Sequence, residues 1–176
     1  MPQDLILSQI ATTFPMLLAA TDTVWRFLGE IGSVMSLGMA GLGSAIGIGI
    51  AGQAAAGAWA KEARAGRNQS FTYIILVGMP ISQTLYAMIV MINMRGVFDN
   101  LDVSIADSGL LMGIGLATGL AEMLSAWMQG MVGAAGIRGL SDGEGKGLAF
   151  IIIAMGIVET VGIFAMVFLL GMIPSA

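Results

Sequence analysis

Cysteine and histidine are both absent from this chain of 176 residues, which removes disulfides, thiolate metal sites and imidazole acid–base chemistry from consideration. Charge is scarce as well: Asp, Glu, Lys and Arg together make up 10% of the residues, and the net charge is −4. There is no basic stripe interleaved with stacking aromatics, so no nucleic acid is expected as a partner. What remains is apolar. Hydrophobic residues account for 57% of the chain and its mean hydropathy is +0.90, values that belong to membrane proteins rather than to soluble domains.

A membrane-spanning helix needs about 20 mostly apolar residues. Four segments qualify, at 32–60, 71–94, 109–137 and 147–172. The fold class expected is therefore an all-α membrane protein with four transmembrane helices, arranged as two tandem hairpins. The first hairpin occupies 32–94 and the second 109–173, with a joining loop at 95–108. The hairpin loops at 61–70 and 138–146 hold Lys61, Arg64, Arg67, Arg138 and Lys146, five of the seven basic residues. Basic residues mark the cytoplasmic side, so both hairpin loops are expected there and both termini outside. The joining loop agrees, since 96–108 contains Asp99, Asp102 and Asp107 without Lys or Arg. Residues 1–31 read as a non-cytoplasmic extension. Their apolar stretch 5–20 is short, contains Gln9 and Pro15, and has Asp4 where a signal peptide carries positive charge. A retained or cleaved signal sequence is the rival reading, and Trp25 with Arg26 suits an interfacial anchor in either case.

The chain repeats itself. An offset of 76 carries Gln53 to Gln129 and Gln83 to Glu159, so each hairpin places one polar residue on each of its helices, and only the second has a carboxylate. An ionisable group in hydrocarbon is a functional-site hypothesis by default, and one transported ion per chain is the expectation. Glycine separates the helices into two kinds. The first and third carry many glycines, which allow close backbone approach in lipid, whereas the second and fourth are rich in Ile, Leu, Val, Met and Phe and suit lipid-facing positions.

Depth arguments gather the polar groups. At about 1.5 Å per residue, Glu159 lies ~18 Å from the start of its helix and Gln129 ~12 Å from the end of the preceding one, so an antiparallel hairpin sets them at comparable depth. Met79, Ser82, Gln83 and Tyr86 fall near one face of the second helix. Pro80 can leave the carbonyl of Met79, or one a turn earlier, free to coordinate. A hydroxyl, two amide oxygens, a carbonyl and one carboxylate favour Na+, while a protonated Glu159 with paired glutamines is the alternative.

The stretches MPISQTLY at 79–86, MQGMVGAAGI at 128–137 and GIVETVGIF at 156–164, with the glutamine-for-glutamate exchange in the first hairpin, resemble the proteolipid of V-type rotary ATPases, subunit K of the bacterial and archaeal type. The resemblance covers nearly all of 32–171. It implies a rotor ring of identical subunits, not itself an enzyme, whose members hold Na+ (alternatively H+) with Met79 (backbone carbonyl), Ser82, Gln83, Gln129 and Glu159, and with Tyr86 orienting the carboxylate. It also implies a stator subunit supplying an arginine, central-shaft subunits meeting the loop at 61–67, surrounding lipid and a prokaryotic plasma membrane. ATP-driven pumping suits one carboxylate per four helices, and synthesis is the reverse of the same cycle. Two departures stand out: Ser82 replaces a threonine and Gln53 stands where an acidic residue can occur.

Glu122 lies one heptad before Gln129, opposite Ile46 in the repeat, and is outside the family's pattern. It reads either as a protonated or water-exposed glutamate lining a central hole, or as one bonded to a neighbour, or as a second ion stop. Two other classes compete for the whole chain. A small secondary transporter would need discontinuous helices and a broad polar lining, and a structural four-helix oligomer would leave the aligned oxygens unexplained.

Overall fold

The computed structural model describes residues 3–100 and 103–174. Helix α1 (Gln3–Arg64) is followed by the short α2 (Tyr73–Gly78), one turn of 3-10 helix (Met79–Ile81), α3 (Ser82–Asn100), α4 (Ile105–Asp142) and α5 (Leu148–Leu170). Four spans are long and apolar enough to cross a membrane, at Gln9–Arg64, Tyr73–Asp99, Ile105–Asp142 and Leu148–Leu170. No strand occurs among the described residues. The protein is an all-α membrane protein.

The first boundary differs from the expected one. Residues 1–31 were expected as an extension distinct from a helix starting at 32, yet α1 runs unbroken through this point for 62 residues, about 93 Å at the helical rise and some three times the hydrocarbon thickness. Pro15 removes one backbone donor without ending the helix. Residues 9–27 are exposed along every face, and burial begins only at Gly29, where a Cβ would lie 2.8 Å from Phe98 Cζ and 3.1 Å from the Ser108 carbonyl oxygen. The hairpin loops are also shorter than the polar stretches that marked them. Helix α1 continues to Arg64 and α4 to Asp142, because long charged side chains such as Lys61, Glu62, Arg64 and Arg138 are good helix formers and do not break the backbone ladder. Asp102 of the joining loop lies outside the described residues. Asp107 lies in the first turn of α4 instead of in the loop, and Ser104 caps the helix: the Asp107 N–H donates to Ser104 Oγ at 3.1 Å, and that hydroxyl donates to Asp107 Oδ2 at 2.6 Å.

Helices α1 and α4 touch backbone to backbone. A Cβ on Gly115 would fall 1.9 Å from the Gly32 carbonyl oxygen, and one on Gly130 would fall 2.3 Å from Gly47 Cα. Glycine at these crossings is a steric requirement, since dispersion and close approach replace the hydrophobic drive in lipid. Helix α5 packs by contrast with much of its surface outward, including exposed Phe150, Ile153, Ile157, Val161, Phe164 and Phe168.

The loop ends are tied together by an ion pair between Lys61 and Asp142 and by Arg67 Nη2 donating to the Ser141 carbonyl at 3.2 Å. Buried Glu62 accepts from the Ser70 N–H at 3.0 Å and from the Tyr73 hydroxyl, which fixes the turn into α2. At the other end Arg26 Nη2 donates to the Phe98 carbonyl at 2.8 Å and its guanidinium stands 5.8 Å from the Phe98 ring centroid, so Arg26 clamps α1 to α3. Between the ends the interior is layered. One apolar cluster, with Ala51, Tyr73, Leu76, Ile137 and Met155, lies toward the hairpin loops. Another, with Val90, Met94, Phe98, Leu111 and Ile114, lies toward the joining loop. The buried polar side chains Gln83, Glu122, Ser125 and Gln129 belong to neither cluster.

Candidate functional site

The polar layer is built by α3, α4 and α5. Pro80 cannot donate, so the α-helical ladder gives way to a 3-10 turn at Met79–Ile81, and this turn sets the Met79 carbonyl beside Ser82. Ser82 Oγ reaches that carbonyl at 3.0 Å and Gln83 Oε1 at 3.1 Å. Gln83 Nε2 donates across to Gln129 Oε1 at 3.1 Å and to Ser125 Oγ at 3.2 Å. Gln129 Nε2 in turn donates to the Met155 carbonyl at 3.2 Å and to Glu159 Oε2 at 3.3 Å. The Tyr86 hydroxyl donates to Glu159 Oε1 at 2.8 Å. Met79, Ser82, Gln83, Tyr86, Gln129 and Glu159 thus form one connected network.

Every polar group of the two amides is satisfied. A primary amide has two donors and one oxygen, and both Gln83 and Gln129 use all three groups. Both are fully buried, and a buried amide left unpaired would be costly. Glu159 is only partly buried on α5, so its carboxylate lies at the outer edge of the network while the amides lie inside.

Ser125 is a member that sequence reasoning missed. It accepts from Gln83 and donates to the Val158 carbonyl at 3.2 Å, which joins α3, α4 and α5 at a single hydroxyl. The signal was available: Ser125 precedes Gln129 by one helical turn and so shares its face. Met155 was also missed. It stands 76 positions after Met79, and the backbone carbonyls of both enter the network.

Gln53 is not part of the site. It is exposed on α1 and borders a surface cleft of about 400 Å³ with Lys61, Arg138 and Asp142 near the hairpin loops. Because Gln83 turns toward α4 rather than back to α1, the first hairpin builds no site of its own. Glu122 departs from a water-exposed glutamate lining a hole, since it is 0% exposed. It departs equally from a glutamate bonded to a neighbour, as neither carboxyl oxygen has a hydrogen-bond partner. Its position is over Gly162 of α5, where a Cβ would lie 2.5 Å from Glu122 Oε2.

Comparison with known proteins agrees with the duplicated architecture. Residues 31–94 and residues 112–172 each match the family of the ATP synthase C-subunit. The A-type ATP synthase subunit K of Methanocaldococcus jannaschii is 35% identical over 126 residues, which cover 70% of this chain and 53% of that protein. The chain therefore spans about half the length of this relative.

Proposed function

Since the chain belongs to the ATP synthase C-subunit family, we propose that it is the membrane rotor subunit of an A/V-type ATPase or ATP synthase and carries one Na+ per chain at Glu159. The observation that carries the ion reading is the network around one carboxylate: Glu159 receives Tyr86 and Gln129, and Gln129 is joined through Gln83 to Ser82 and the Met79 carbonyl. Carbonyl and amide oxygens have two lone pairs each, so the amide oxygens of Gln83 and Gln129 retain capacity for a cation beside their present donors, and the Met79 carbonyl, which takes the Ser82 N–H, gains it when the Ser82 hydroxyl turns to Gln83. With Ser82 Oγ and the carboxylate they offer the several oxygens that a hard cation takes, and a single negative charge to cancel a single positive one.

The mechanism follows from solvation. A bare carboxylate in hydrocarbon costs several kcal/mol or more, so Glu159 passes through lipid only with its ion bound. In a ring of identical subunits, α5 with its apolar surface faces outward and the glycine-bearing α1 and α4 form the crowded layer. An arginine of a stator subunit displaces the ion from Glu159 at the exchange point, and the vacated site refills from the opposite side. The loop at 61–67 meets the central shaft, and the hairpin loops are cytoplasmic. The chain is a carrier within the complex and does not hydrolyse ATP. Its membrane is a prokaryotic plasma membrane.

One observation favours protons instead. The two glutamines already pair across helices at 3.1 Å, an arrangement in which Glu159 needs only a proton and the Tyr86 phenol. The decisive measurement is carbodiimide labelling of Glu159 in the assembled complex, with ATP hydrolysis followed in parallel. Protection of Glu159 and stimulation of hydrolysis by Na+ support the sodium rotor. Labelling that depends on pH alone overturns it in favour of the proton rotor, and absence of labelling counts against both.

A further inference from the structure

The rotor reading leaves one buried acid unused. Glu122 sits on α4 one turn before Ser125–Ala126, is 0% exposed, and has no partner for Oε1 or Oε2. Thr118, one turn earlier on the same helical face, is also 0% exposed, and its Oγ1 is likewise unpartnered. Three buried oxygens on one face thus lack a hydrogen bond. Native interiors rarely leave such groups orphaned, and each one calls for a specific occupant.

The repeat shows how the room arises. The offset of 76 sets Ile46 against Glu122 and Tyr86 against Gly162. Where the first hairpin has an apolar residue and a bulky phenol, the second has an acid and no side chain. The Glu122 carboxyl occupies the notch, and the same missing Cβ would lie 3.2 Å from Ser125 Oγ. Glycine at 162 is what admits Glu122 to the interface of α4 and α5, one turn from Glu159.

We propose that Glu122 and Thr118 form a second, proton-binding site, in which Glu122 is a neutral carboxylic acid sharing one water with the Thr118 hydroxyl. Charge decides the occupant. Among the described residues the ion pairs are Arg26 with Glu30 and Lys61 with Asp142, so no cationic side chain compensates Glu122. The titratable groups whose fields it shares are the Glu159 carboxylate on α5 and the Tyr86 phenol on α3, and neither supplies positive charge. On α1 the groups packed at the intervening turn are the Met35 backbone carbonyl and the Met39 side chain, both against Gly119, and neither carries a charge. Two carboxyl oxygens and one hydroxyl are too few ligands for a dehydrated metal cation, whereas a proton removes the charge outright. A bound acid then needs an acceptor and a donor, which one water between Glu122 and Thr118 provides. The consequence is that a chain with two intramembrane acids exchanges only one ion, because Glu122 keeps its proton.

Infrared spectroscopy of the full-length protein in detergent at mildly alkaline pH tests this without reference to which ion Glu159 carries. The Glu159→Gln variant is expected to retain one protonated-carboxyl C=O stretch. That band is lost in Glu159→Gln/Glu122→Gln and shifts in both Glu159→Gln/Glu122→Asp and Glu159→Gln/Thr118→Val. Absence of the band from Glu159→Gln overturns the proposal, as does its persistence without Glu122. A band indifferent to Thr118 removes the shared water. Failure of the rotor reading would leave all four spectra unchanged, so the two ideas fall separately.

Discussion

Tyr86 on α3 and Glu159 on α5 are 73 positions apart in the chain and 2.8 Å apart in the fold, with the phenol donating to Oε1. This bond spans the two hairpins at the outer edge of the polar layer, and it leaves Oε2 to Gln129. The carboxylate is therefore held from two sides by helices that belong to different halves of the repeat. Replacing Tyr86 with Phe keeps the ring and deletes only the hydroxyl. A hydrogen bond to a charged group contributes about 1.5–3 kcal/mol, so Na+ protection of Glu159 against carbodiimide should need roughly tenfold more Na+ or above. Unaltered protection would show that the phenol does not orient the acid.

Glu159→Gln removes the charge while preserving shape. Ion transport by the reconstituted complex should be abolished, and the variant should still assemble, because the amide has the size of the acid and its one oxygen still accepts from Tyr86 or Gln129. Residual ion-driven rotation in this variant would displace Glu159 from its central role.

Gln129→Ala takes three hydrogen bonds from the layer at once. It leaves one N–H of buried Gln83 without an acceptor, at about 1–3 kcal/mol for the unsatisfied group, and removes the side-chain donors from the Met155 carbonyl and Glu159. The variant should lose both thermal stability in detergent and Na+ protection. Gln53→Ala, on an exposed face, should change neither. Equal effects from the two substitutions would contradict the placement of the site in the second hairpin.

Gly130→Ala drives a methyl group into Gly47 Cα at 2.3 Å, backbone against backbone, where no rotamer can yield. Overpacking typically costs about 1–3 kcal/mol, and the melting temperature in detergent should fall. Gly49→Ala is the matched control, since no atom lies within 4 Å of its added carbon and alanine favours the helix by about 1 kcal/mol. The contrast should hold in the isolated chain, and a fall of similar size in both variants would mean that α1 and α4 do not cross as described.

Periodicity and composition sufficed for four spans and the repeat because a bilayer imposes its length on any helix that crosses it. Helix depth sufficed to bring Gln129 near Glu159, since an antiparallel hairpin ties position along one helix to position along the next. Other features were illegible for stated reasons. The polar composition of the loops concealed how far α1 and α4 extend, and a short apolar stretch broken by Pro15 gave no sign that α1 is continuous from Gln3. Ser125 carries no charge and so drew no attention.

From the sequence alone it was settled that this is a duplicated helical hairpin with one carboxylate at the equivalent pair of positions, because hydropathy and repeat spacing are properties of the chain itself. Only the tertiary structure decided which oxygens meet. The choice of Gln83 to turn toward Gln129 and not Gln53, the joining of three helices at Ser125, and the seating of Glu122 over Gly162 all depend on how α3, α4 and α5 rotate about their axes. That rotation is set by side-chain packing across helices, and residue order along one helix does not encode it.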